Sequence, residues 1–193
     1  MIRKNLRKLN AIVSCLILVL LIVHGIAGGF QMMSVLPGGN TLLEVLAWVM
    51  AGMIALHAVI GIWLTIETVT ARKKAGRSYL RQNLGFWVRR ISGFAMLLFV
   101  ALHLLIFAGG SGAYFRLGFF GNTQLTVSLL LVASLVIHVL CNLKALSISF
   151  GAGWLSRIRW DLLLVLAAVL VFCASAFLIY YLRWNVLWRF DAL

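Results

Sequence analysis

Residues 11–30 read AIVSCLILVLLIVHGIAGGF, an uncharged run of 20 residues with one imidazole, His24, inside it. At about 1.5 Å of rise per residue, such a run crosses a bilayer core of about 30 Å as a helix. Four further apolar runs follow, at about 42–66, 86–107, 125–146 and 162–182, the third overlapping the Arg89–Arg90 pair at its start. The expectation is an all-α integral membrane protein, a five-helix bundle forming a single domain over residues 1–193. Composition agrees, with 64% hydrophobic and 11% charged residues against about 45–50% and about 25% in soluble domains. A water-soluble globule, a disordered chain and a collagen-like chain are all excluded.

Arg3, Lys4, Arg7 and Lys8 before the first run, and the small residues from Gly25 to Gly29 within it, have the outline of a signal peptide. The run is longer than the roughly 7–15 residues of a cleaved signal, so it reads as a retained first membrane helix. The net charge of +13 does not describe a nucleic-acid-binding face, because the 17 Lys and Arg sit in short blocks between apolar runs. Fourteen of them fall on the side of the N-terminus and of the loops between spans two and three and between spans four and five. Only Arg116, Arg183 and Arg189 fall on the other, which predicts a cytoplasmic N-terminus and an external C-terminus. Cys15, Cys141 and Cys173 lie inside apolar runs with no C-x-x-C spacing, so they read as small apolar residues rather than disulfides, thiolate metal ligands or a c-type haem attachment.

The chain has four His, namely His24, His57, His103 and His138, one in each of the first four spans. Ionisable groups are costly inside a membrane and mark functional sites there, so placing every His in a span points to a shared purpose. Depth then sorts them. His24 is 13 residues past Ala11 and His103 is 13 past Arg90, both on outward-running spans, about 20 Å from the cytoplasmic end. His57 is 10 residues before Glu67 and His138 is 6 before Lys144 on inward-running spans, about 9–15 Å from that end. Two pairs result, at levels separated by about 5–11 Å.

Two axial imidazoles leave an iron no open position for oxygen, which suits electron transfer, so two pairs suggest two b-type haems. A proton relay would recruit mid-span acids, zinc would gather its ligands at one level, and copper would favour Met or Cys beside the His. Gly25, Gly28 and Gly29 near His24, Gly52 and Gly61 near His57, and Gly93 before His103 would let a flat macrocycle approach, or serve ordinary helix packing. Arg7, Lys8, Arg90 and Lys144 at cytoplasmic helix ends could pair with haem propionates, and the positive-inside rule accounts for them equally. Spans one and three also echo each other: Arg7-Lys8-Leu9-Asn10 leads towards His24, and Arg89-Arg90-Ile91-Ser92 towards His103. Ala55-Leu56-His57-Ala58-Val59 and Val136-Ile137-His138-Val139-Leu140 echo similarly.

Five spans with His on the first four, and the stretch Trp87-Val88-Arg89-Arg90-Ile91-Ser92-Gly93 running to Ala101-Leu102-His103-Leu104, resemble the di-haem cytochrome b subunit of succinate dehydrogenases and fumarate reductases that use menaquinone. The resemblance covers the chain as an architecture. It implies an outer (distal) haem held by His24 and His103 and an inner (proximal) haem held by His57 and His138. It further implies flavoprotein and iron–sulfur partners on the cytoplasmic face, a quinone substrate, a bacterial cytoplasmic (inner) membrane, and room for a dimer of complexes. Succinate–fumarate chemistry would belong to the flavin subunit. Some relatives carry a Glu just before the fourth-span His; here Ser134-Leu135-Val136-Ile137-His138 has no acid, so that proton route is not expected. The alternatives are a di-haem b subunit of the nitrate reductase kind, which concentrates its His on two helices, and a haem-free membrane protein.

Quinone turnover needs a group that takes or delivers protons. Of the chain's four acids, Glu67 and Asp161 fall on the cytoplasmic side and Asp191 in the tail, leaving Glu44 at the outer start of span two. It is 13 residues before His57, about 20 Å further out, and reads either as that catalytic carboxylate or as an interfacial acid capping a helix N-terminus.

Overall fold

In hydrocarbon every backbone N–H and C=O must find a partner within the chain, and an uninterrupted helix provides this segment by segment. A computed structural model describes residues 2–74, 84–108, 117, 119–149 and 153–187. It contains α1 (Ile2–Met32), α2 (Thr41–Lys74), α3 (Leu84–Phe107), α4 (Asn122–Ser149) and α5 (Gly153–Leu182), the last continued by a π-helical turn over Arg183–Leu187. All five helices are long and apolar enough to cross a membrane, so the chain is a multi-pass membrane protein. Large side chains such as Leu105, 80% exposed, and Val171, 67% exposed, point outward, as lipid-facing residues do.

The helices outrun the expected spans, chiefly where the cations lie: α1 begins at Ile2 rather than Ala11, α2 continues to Lys74 rather than Ile66, and α5 begins at Gly153 rather than Leu162. Hydropathy marks only what must lie in lipid, whereas Lys, Arg and Leu are good helix formers on either side of the interface. Thr65 and Thr68 fold their hydroxyls back onto the carbonyls of Gly61 and Leu64, at 2.6 and 2.7 Å, as α2 emerges. Arg7, Lys8, Lys73, Arg89, Arg90 and Lys144 all belong to one end of the bundle, called here the basic end. Arg77, Arg81, Arg116, Arg189 and Asp191 lie outside the described residues.

Packing is by hairpins. α1 packs on α2 and α3 on α4, while α5 closes one side against α1 and α4. The α1–α5 seam depends on small residues: a Cβ at Gly25 would lie 2.9 Å from Cys173 Sγ, and one at Gly29 would collide with the Phe172 ring. At the far end Met32, Leu117, Phe120, Phe177 and Tyr180 form a buried cluster. Tyr180 is fully buried, and its hydroxyl accepts the Leu117 N–H at 2.9 Å. Arg183 Nη1 donates to the Met33 carbonyl at 2.6 Å, tying the end of α5 to the end of α1. Tyr180→Phe strands a buried N–H, so we expect a loss of about 1–3 kcal/mol, read as a lower midpoint of thermal unfolding in detergent.

Between α1 and α2 the chain turns through Ser34 and Gly39, both at positive φ (58° and 71°). Asn40 then starts α2, its Oδ1 accepting the Leu43 N–H at 3.1 Å.

Candidate functional site

α1 and α3 run parallel, as do α2 and α4, and the four imidazoles meet two by two. The rings of His24 and His103 have centroids 6.2 Å apart with planes at 76°. Those of His57 and His138 are 6.3 Å apart at 88°. Among the described residues no three His, Cys, Asp or Glu side chains gather at one point. Neither α1 with α3 nor α2 with α4 forms an extended backbone seam among the described residues.

The spacing can be tested against ligand chemistry. A first-row metal ion takes an imidazole nitrogen at about 2.0 Å, and a five-membered ring with sides of about 1.33 Å has its centre about 1.1 Å behind each atom. Two imidazoles on opposite sides of one ion therefore have centroids about 6.2 Å apart. Both pairs have that separation.

Each imidazole of the inner pair also meets a serine hydroxyl. Ser14 on α1 donates its hydroxyl to the Asn10 carbonyl at 2.8 Å and lies 3.1 Å from His57 Nδ1. Where the hydroxyl donates to that carbonyl it is placed to accept from the ring, an arrangement that puts hydrogen on Nδ1 and leaves Nε2 its lone pair. Ser92 on α3 repeats this arrangement, donating to the Arg89 carbonyl at 3.2 Å and standing 3.2 Å from His138 Nδ1. Asn142 Nδ2 donates to the His138 carbonyl at 2.7 Å and lies 3.5 Å from its Nδ1. In each hairpin, then, a serine on the first helix orients the imidazole on the second. At the outer level His103 lies 4.5 Å from the Phe107 ring and 6.4 Å from Phe177. Its buried Nδ1 has no hydrogen-bond partner among the described residues.

Ser14, level with His57, is 10 residues before His24, so the levels are about 15 Å apart along α1, more than the 5–11 Å expected. The depths were counted from Ala11, Glu67, Arg90 and Lys144 near the apolar ends, and these do not share one plane.

The glycines separate by role. Gly25 and Gly29 belong to the α5 seam. Gly93 makes room for the His138 ring, since a Cβ there would sit 3.2 Å from Cε1 and 3.5 Å from Nδ1. Gly28 and Gly61 lie one turn past His24 and His57 and, like Gly52, have open space where a Cβ would be. We expect Gly93→Val to displace the His138 ring and abolish whatever the inner pair binds while the outer pair keeps its occupant, as read from the absorption spectrum of the purified variant.

Of the cations singled out by sequence, Arg90 is half-buried: its Nε donates to Thr65 Oγ1 and its guanidinium stands 4.7 Å over the Phe86 ring. Arg7, Lys8 and Lys144 are exposed. Two groups that sequence reading missed lie on the basic side of the inner pair, Asn10 one turn before Ser14 and Trp87 five residues before Ser92. Asn10 Oδ1 and Trp87 Nε1 are buried without a hydrogen-bond partner among the described residues. Their only signal in the sequence was polarity at an apolar boundary. Glu44 is exposed in the first turn of α2, where Asn40, not Glu44, caps the helix.

Protein-family models, curated proteins and solved structures were all compared with this chain, and none matches it.

Proposed function

We propose that this chain is the membrane-anchoring di-haem cytochrome b subunit of a succinate:quinone oxidoreductase. It would carry electrons between a quinone pool and iron–sulfur and flavin subunits that interconvert fumarate and succinate. The observation that supports this best is the pair of pairs: imidazoles 6.2 and 6.3 Å apart, the inner two each meeting a serine hydroxyl at Nδ1. A haem held by these imidazoles would supply one-electron transfer.

His24 with His103, and His57 with His138, would hold the two haems, while Gly28 and Gly61 leave space on the ligand faces. Arg90, Asn10 and Trp87, with Lys144 further out, would receive the acidic edge of the inner haem, the half-buried guanidinium as a charge-assisted donor. At the far end Glu44 would exchange protons with a quinone, menaquinone by resemblance. The basic end would face the cytoplasm of a bacterium, where its cations retain that side and meet the partner subunits.

Purification of the tagged chain from native membranes tests the proposal. The expected result is two b-type haems per chain by pyridine haemochrome, with a flavoprotein and an iron–sulfur protein co-purifying. A molybdenum-containing partner overturns the assignment to this complex, and a chain without haem overturns the cytochrome.

A further inference from the structure

We propose that Ser14 and Ser92 are positioning residues that set the reduction potential of the inner level apart from that of the outer one; this rests on the di-haem reading. Each hydroxyl lies within reach of a backbone carbonyl on its own helix and of the imidazole of the next, so when it donates to the carbonyl it presents a lone pair to that ring; at His138 the Asn142 amide, 3.5 Å from Nδ1, is the competing partner. A ring that donates from Nδ1 is a more basic ligand through Nε2. A more basic ligand stabilises the oxidised metal, which carries the higher charge. The outer level lacks this device at His103, whose Nδ1 is buried against phenylalanine without a hydrogen-bond partner among the described residues. The serines stand 10 and 11 residues before the outer ligands of their own helices, so α1 and α3 each carry an outer imidazole and an inner hydroxyl.

The test is a redox titration of the purified complex carrying Ser14→Ala, Ser92→Ala, or the threonine replacements that restore a hydroxyl. Each alanine variant is expected to keep two haems and to shift the reduction equilibrium of the inner component about tenfold towards the reduced form, about 59 mV for one electron. The outer component should stay in place, and threonine should return the inner one to its wild-type value. An inner potential unmoved by alanine, or moved equally by threonine, overturns the proposal. Loss of the inner haem in the alanine variants supports it if threonine restores the haem and overturns it if threonine does not.

If the wild-type chain carries no haem, the di-haem reading falls, and the tautomers are read separately by nitrogen-15 NMR of the histidine-labelled chain. Protonation at Nδ1 of His57 and His138 that is lost in the alanine variants then supports the serine assignment; protonation at Nε2 in the wild type overturns it.

Discussion

If the wild type holds two haems as proposed, purified His57→Ala and His138→Ala chains should each carry one, and the same spectral component should be missing from both. His24→Ala and His103→Ala should each lose the other component. A haem held by two imidazoles would be weakly held by one, so each single variant is expected to forfeit a whole haem. The decisive comparison is between double variants. His57→Ala with His138→Ala should be no worse than either alone, because the two act on one site, whereas His24→Ala with His57→Ala should leave none. The ring geometry makes this specific, since His24 meets His103 at 6.2 Å and His57 meets His138 at 6.3 Å. Pyridine haemochrome gives the count and reduced-minus-oxidised spectra the identity. If His24→Ala and His57→Ala remove the same component, the pairing is wrong.

Glu44→Gln should reduce quinol-linked turnover by about a hundredfold or more, the scale of a missing general acid or base. Both haems should remain, and dicarboxylate turnover with artificial electron carriers should be unchanged. The fold makes this a clean substitution: Glu44 is exposed, and the start of α2 is secured by Asn40 through the Leu43 N–H. Loss of the carboxylate removes only a favourable charge near the helix N-terminus, worth about 0.3–1 kcal/mol. Asn40→Ala provides the contrast, because it weakens the cap while leaving the carboxylate in place. If Glu44→Gln keeps normal quinol activity, Glu44 serves the helix dipole alone.

What could be read along the chain was whatever depends on position along a helix axis. Lipid demands uninterrupted apolar length, so runs such as 11–30 declare the spans. A fixed rise per residue then puts His24 level with His103, and the structure brings those rings together. His57 and His138 were grouped by the same count and also meet. The distance between levels was read less well, because charged residues mark span ends only coarsely.

Rotation about the axis was left to the tertiary structure. In water a helix announces its buried face by alternating polar and apolar residues, but in a bilayer the lipid-facing and protein-facing sides are both apolar, so sequence carries little angular signal. For that reason Gly25, Gly28 and Gly93 looked alike in the sequence, yet one packs on α5, one borders open space and one admits the His138 ring. Ser14 and Ser92 reach imidazoles 43 and 46 residues away only because each hairpin turns them towards its second helix. Hydropathy and helical rise, both legible along the chain, settled the number of spans and the grouping of the four imidazoles two by two. Packing of small and aromatic residues decided which way each helix faces, and with it which hydroxyls, glycines and orphaned polar atoms surround each pair.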